Sequence, residues 1–381
     1  MNIEQRSWTS ASGWLPTPLR PGLPAQLVLL FGAKELLRER AQLAQIRAAY
    51  PSARIVGCST SGEISGLRVM DHSLSLTAIQ FEHAKINLAS TLLVEVEGNS
   101  FNAGRRLATQ LPRQGLVHVL VFSDGSAVNG SELVRGLTEI LPAGVAVTGG
   151  LAGDADRFED TLVVLDDDPR PGLIVAIGLY GERLRIGYGS MGGWDPFGPD
   201  RVVTRAKDNV LYELDGQSAL TLYKRYLGDY ANELPSAALL FPLALRDPNG
   251  HEVVRTILNI DEIQQSMTFA GDVPQGATVR LMKANFERLV DGAQDAAEAS
   301  YRSIGSQSPE FALLISCVGR KLVLKQRVED EIESVQEVLG EGTVLAGFYS
   351  YGEISPAAPN ASCELHNQTM TITTFSERET A

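Results

Sequence analysis

Cysteine is scarce: Cys58, Cys317 and Cys363 are the only three in 381 residues. They are scattered, with no Cys-x-x-Cys pair. That excludes a disulfide framework or a structural zinc site and fits a reducing, cytoplasmic setting. Histidine is nearly as rare, at 5. No run approaches the roughly 18 apolar residues of a membrane span, and the first residues hold no apolar core of a signal peptide. Positive charge is also short, with 33 Lys and Arg against 46 Asp and Glu for a net charge of −13. Such a surface would release few phosphate counterions, which argues against a nucleic-acid partner. The phosphate fingerprints are missing: no glycine loop ends in Gly-Lys-Ser/Thr, and no Gly-x-Gly-x-x-Gly opens a helix. No Gly-x-Ser-x-Gly nucleophile elbow is present either.

What is there is ordinary globular material, 44% apolar and 21% charged. The length suits two domains rather than one core. Four prolines between Leu15 and Pro24 read as an extended arm over residues 1–25. A first domain follows over 26–216, then a second over 217–376 and a tail at 377–381. The boundary is set near Gly216, where the pattern changes to "NVLYELDGQSALTLYKRYLG".

A strand-helix-strand-strand unit recurs along the chain. "LVLLFG", "KELLRERAQLAQIRAAY", "ARIVGCS" and "HSLSLTAIQF" form the first. "LVHVLVFSDG", "SELVRGLTEILP" with Ser131 as N-cap, "VAVTGGLAGD" and "DTLVVLD" form the second. "FALLISCVG", "VEDEIESVQEVLG", "TVLAGFYSYGEIS" and "CELHNQTMTITTF" form the third. Short apolar runs alternating with helical periodicity imply an α/β fold with parallel crossovers and mixed sheets. Internal repetition implies duplicated architecture: two closely packed domains with pseudo-symmetric halves. His72–Phe81 aligns without gaps on His366–Phe375, which makes His72 and His366 counterparts.

Each unit's second strand ends in a glycine-rich turn. "VGCSTSGEIS" and "AGFYSYGEIS" share Gly, four residues, then Gly-Glu-Ile-Ser. Ligands of open α/β sheets bind at such strand ends, where glycine lets the backbone approach. The candidate binding loops are therefore Gly57, Cys58, Ser59, Thr60, Gly62 and Glu63 in the first unit. Gly149 and Gly150 serve the second, and Tyr349, Tyr351, Gly352 and Glu353 the third. Tight turns closed by glutamate side chains are the alternative. Catalytic material is thin: Cys58 or the Glu63/Glu353 pair would have to carry any enzyme activity, and Ser123 and Asp124 read as turn and cap residues. The segment "GWDPFGPDRVVTR" reads as a rigid connector, with Arg201 and Arg205 bonding acids or carbonyls.

The motifs "VGCSTSGEI", "TGGLAGD", "GWDPFGPDRVVTRAKDNVLYELDGQSALTLYKRYLG", "SCVGR" and "GFYSYGEISP…LHNQTMTIT" resemble the FIST family, N- and C-terminal domains together. The resemblance runs over residues 26–375. It implies a sensory module of bacterial signal transduction that binds a small ligand such as an amino acid and acts through a partner signalling protein. One branch, the NosP-type proteins, binds haem, senses nitric oxide and regulates a histidine kinase. If this chain follows that branch, the haem would be non-covalent haem b. His366, inside the matched motif, is then the axial candidate, with His72 second. The resulting expectation is a cytoplasmic, non-enzymatic sensor.

Overall fold

A computed structural model of the protein describes residues 1–19, 22–166, 168–234, 236–246, 250, 252–305, 308–356 and 361–377. The fold is α/β with mixed sheets, and the repeated unit occurs three times. In each, the first strand runs parallel to the second: Leu27–Gly32 with Arg54–Ser59, Leu116–Ser123 with Ala146–Leu151, and Phe311–Cys317 with Val344–Ser350. A third strand lies antiparallel on the far side of the first: Ser73–Gln80, Leu173–Tyr180 and Met370–Ser376. A fourth borders the third: Asn2–Thr9, Lys85–Leu92 and Arg185–Met191.

This repeat corrects the reading of the N-terminus. Residues 2–15 are not an arm ahead of the domain, because Asn2–Thr9 pairs in full register with Ser73–Gln80 and Gly13–Leu15 pairs with it in turn. The strand lies toward the sheet edge, half-buried, and so carries mostly polar residues and no apolar run. The third strand of the middle unit is likewise Leu173–Tyr180 rather than "DTLVVLD".

The first strands are apolar on both faces because both are covered. Leu27, Leu29, Phe31, Leu120, Phe122, Phe311, Leu313 and Ile315 point into one core shared by all three units. The alternating Val28 and Leu30 pack under Leu43 and Ile46 of their own helix. Val119 and Val121 do the same in the second unit, and Ala312 and Leu314 in the third. One phenylalanine from each unit meets at the centre. Phe31 lies 4.7 Å from Phe348 and 5.6 Å from Phe122, and Phe122 and Phe348 are 6.1 Å apart by ring centroid.

The units are tied by exchange. After its second strand, each sends a hairpin to another unit's second strand. Glu63–Ser65 pairs with Val344–Ser350, Gly352–Pro356 with Ala146–Leu151, and Val163–Leu165 with Arg54–Ser59. The first unit thus gives to the third, the third to the second and the second to the first. Residues on both sides of Gly216 share sheets, so the two regions are closely packed.

A further unit, Asp195–Lys283, forms an antiparallel sheet around the 13-residue strand Asp195–Lys207. Gly216 lies inside it, in the turn joining Val210–Leu214 to Gln217–Ser218. Trp194 leads into this unit, buried, its Nε1 donating to the Gln368 carbonyl at 2.9 Å. Arg201 bonds Asp215 and Arg205 bonds Glu213. Of the tail 377–381, only Glu377 is among the described residues.

Candidate functional site

The strands place Gly57, Gly149 and Gly347 at equivalent positions. A Cβ on any of them would lie within 2 Å of the facing carbonyl oxygen, at 1.7 Å from Leu30, 1.9 Å from Val121 and 1.8 Å from Leu314. The loops that follow converge and close a ring of backbone bonds. Ser61 N donates to Tyr349 O at 2.8 Å, Tyr351 N to Leu151 O at 3.4 Å, and Gly153 N to Ser59 O at 2.8 Å. The structure therefore brings the expected loop residues together. Cys58, Ser59, Thr60, Glu63, Tyr349 and Glu353 are all buried there, and the side chains of all but Cys58 hydrogen-bond within the protein.

Thr60 and Ser73 donate hydroxyl bonds to Glu63, both at 2.5 Å. Glu353 receives the Ser350 hydroxyl at 2.5 Å and the Thr369 hydroxyl and N–H at 3.1 and 3.3 Å. Burial pushes Glu63 up to about 7, against the pull of these hydroxyls. Burial likewise pushes Glu353 up to about 8. Cys58 lies in the shared core, where burial holds its thiol well above the ordinary value and the nearby Glu63 raises it further. That is the reverse of thiolate activation. Tyr349 donates to Glu331 at 2.6 Å, and Glu331 also takes two bonds from the fully buried Arg320. Each of these bonds lies within one unit: Glu63 ties the first unit's loop to its third strand, and Glu353 and Tyr349 tie the third unit's loop to its own strand and helix.

His366 is buried on the exchanged strand Cys363–His366, with Nε2 donating to the Ser355 carbonyl at 2.9 Å. It lines neither cavity described below. His72 is exposed in a turn with φ 50°. His366 has its Nε2 engaged by a backbone carbonyl and His72 lies on the surface, which does not fit an axial haem ligand at either position. His72 is not the counterpart of His366. Leu76 faces Leu30 as Ile372 faces Leu314, which makes His72 equivalent to Gln368, whose φ is also positive, at 64°. His118 is buried, and burial pulls it down to about 3, so it is a neutral imidazole bonded to Thr148 at 2.8 Å.

A cavity of about 570 Å³ opens at the carboxyl end of the parallel strands Leu116–Ser123 and Ala146–Leu151. Its floor is the loop Gly125–Asn129 with Leu151 and Tyr351, and the Asp195–Lys283 unit roofs it with Asn209, Asn259 and Phe269. Tyr351 stacks on Phe158 at 4.5 Å and accepts the Phe158 N–H at 3.0 Å. Asp124 shapes the floor: its Oδ1 accepts from Ser126 N and Ala127 N at 2.8 and 2.7 Å, and its Oδ2 from Gly172 N at 2.9 Å. Those loop N–H groups are thereby withdrawn from any anion. Asn129, not Ser131, caps the helix Gly130–Ile140. Glu159 is the one charged residue in the lining among the described residues. Of the expected loop residues, Tyr351 alone reaches this cavity. "FSDGSAVNG" carried a usable signal as a loop after a parallel strand. Asn209 and Asn259 lie far along the chain and carried none.

Asp154, Glu159 and Asp160 bring carboxylate oxygens within 4.8 Å of one another. Lys34 bonds both Asp154 and Asp160, Arg38 bonds Asp160 and Arg157 bonds Asp154. The group is an ion-pair network already supplied with cations.

Among the described residues no helix is long and apolar enough to cross a membrane. An uncharacterized protein of Mycobacterium tuberculosis is 24% identical over 383 residues, covering 97% of this chain and 96% of its own. One from Methanocaldococcus jannaschii is 23% identical over 360 residues, covering 83% and 67%. Among solved structures, a cyanuric acid hydrolase from A. caulinodans matches at TM-score 0.39 and 9% identity, covering 99% of both chains. A chorismatase matches at 0.33 and 9% identity, covering 98% of both. These structural likenesses are too slight to argue from. The FIST N domain matches residues 26–217 and the FIST C domain residues 219–356, and the chain belongs to the FIST family of small-ligand sensory modules.

Proposed function

We propose that this protein senses a small neutral or cationic metabolite held in the 570 Å³ cavity, and signals through contact with a partner protein such as a histidine kinase. The observation that carries the reading is the position of the cavity. It lies at the carboxyl end of parallel strands, where α/β sheets bind ligands, and a second unit covers it. A ligand there touches the Gly125–Asn129 loop and the Asp195–Lys283 unit at once, and so stabilises their contact. Apolar Leu151, Phe158 and Phe269 with a few amides give the mixture usual for a small-molecule site. Glu159 favours an amine over an acid. The fit at His366 favours a ligand other than haem.

Thermal unfolding against a panel of small amines, amides and amino acids tests this. A ligand at 100 times its dissociation constant adds about 2.7 kcal/mol. Ala127→Phe, at an exposed floor position, is expected to abolish the gain while leaving the unliganded midpoint in place. If Ala127→Phe binds as the parent does, the cavity is not the site. Addition of haemin is expected to give no Soret band that His366→Ala removes.

A further inference from the structure

A second cavity, of about 390 Å³, lies farther along the same helix, between Ser131–Thr138, the strands Leu243–Arg246 and Glu252–Arg255, and the exchanged strand Cys363–His366. The Asn129–Asp272 hydrogen bond, 3.4 Å, stands between it and the first cavity. Arg255 lines it at 7% exposure. Its Nη1 donates to the Leu365 carbonyl at 2.9 Å, but its Nε is buried with no partner. Asp272 and Glu364 also line the cavity, close enough to favour the cation. A buried guanidinium with an idle donor is costly unless something accepts from it.

A second polar group is left idle on the opposite wall. Ser131 Oγ is buried without a partner, in the first turn of the 11-residue helix Gly130–Ile140. That turn carries the positive end of the helix dipole. Val134, Leu245 and Val253 give the lining its apolar part, and Arg135 and Thr138 of the same helix border it as well.

We propose that this cavity binds the carboxylate of a small organic acid, with Arg255 Nε–H and the Ser131 hydroxyl donating to its oxygens and the acid's short apolar chain against Val134 and Val253. Asp272 and Glu364 make the cavity hostile to a second negative charge, so a monoanionic carboxylate is preferred over phosphate. The site is independent of the first cavity, which lacks Arg255 and any other cation in its described lining.

The test uses the full chain labelled with ¹⁵N-arginine. Butyrate is titrated while the arginine Nε–H resonances are followed, with butyramide, butylamine and inorganic phosphate as controls. One resonance is expected to shift saturably with butyrate alone, and Arg255→Gln is expected to remove that resonance and the binding. Ser131→Ala is expected to weaken butyrate about tenfold, the loss of one hydrogen bond to a charged group. Should Arg255→Gln fail to fold, Thr138→Trp at the exposed rim blocks the cavity with Arg255 in place, and is expected to abolish the shift. No arginine shift with butyrate, an equal shift with butyramide or phosphate, or unchanged butyrate affinity in Ser131→Ala and Thr138→Trp would overturn the proposal.

Discussion

Glu63 and Glu353 show how a carboxyl behaves when hydroxyls, not cations, are its hydrogen-bonding neighbours. Above pH about 4.5 the unfolded chain gives up these protons. The folded protein keeps them until about 7 for Glu63 and about 8 for Glu353. Folding is therefore favoured at low pH, and stability falls as pH rises through that window, then levels off. Each group contributes at most about 1.4 kcal/mol per pH unit. Glu63→Gln keeps the Thr60 and Ser73 bonds without the proton. It is expected to raise the unfolding midpoint at pH 8 and to flatten its slope between pH 5 and 8. A slope identical to the parent's sinks this assignment. Glu331 is the opposite case, a buried carboxyl with Arg320 on it at 2.8 Å. Removing it strands a buried guanidinium, so Glu331→Ala is expected to cost about 3–5 kcal/mol in denaturant unfolding. A loss under about 1 kcal/mol would show that Arg320 finds other partners.

At the scale of elements, the parallel strand pairs depend on a glycine where the second strand crosses the first. Gly347→Ala puts its methyl carbon against the Leu314 carbonyl at 1.8 Å. Backbone, not a flexible side-chain tip, must move. The expected result is loss of soluble folded protein or a drop of several kcal/mol, read by circular dichroism; an unaltered midpoint would mean the strands can separate freely. The helix Gly130–Ile140 begins at Asn129, whose Oδ1 accepts from Glu132 N at 3.1 Å. Asn129→Ala is expected to cost about 1 kcal/mol. The same scale explains one misread pairing. Aligning His72 with His366 shifts the true register by two residues, and a strand's side chains repeat every two. The polar and apolar pattern matched in either register, and only the facing strand distinguishes them.

Across the whole molecule, the exchanged hairpins make every unit incomplete alone. The sheet of Phe311–Cys317 is built with Glu63–Ser65, Arg68–Met70 and Arg185–Met191 from the N-terminal region. Expressed separately, residues 1–216 and 217–381 are expected to be unfolded or aggregated, and the intact chain to melt without an early transition of either region. A well-dispersed amide spectrum from residues 217–381 alone would contradict this.

Much of the architecture was legible in the residues. The double-faced apolar runs, the helical periodicity and the glycine turns each follow from local constraints: burial on two faces, the helical repeat, and close backbone approach. Those constraints determined the α/β class, the repeated unit and the equivalence of the two Gly-Glu-Ile-Ser loops. The tertiary structure alone decided where the hairpins go, that residues 2–9 complete the first sheet, and which loops border a cavity. Strand exchange costs the same local hydrogen bonds whichever edge receives the hairpin, so no nearby residue encodes the choice. The loops with the strongest sequence signature turned inward, because the three units meet there and water is excluded. The cavities formed where Asp195–Lys283 covers the middle unit, between residues whose only relation is their distance in space.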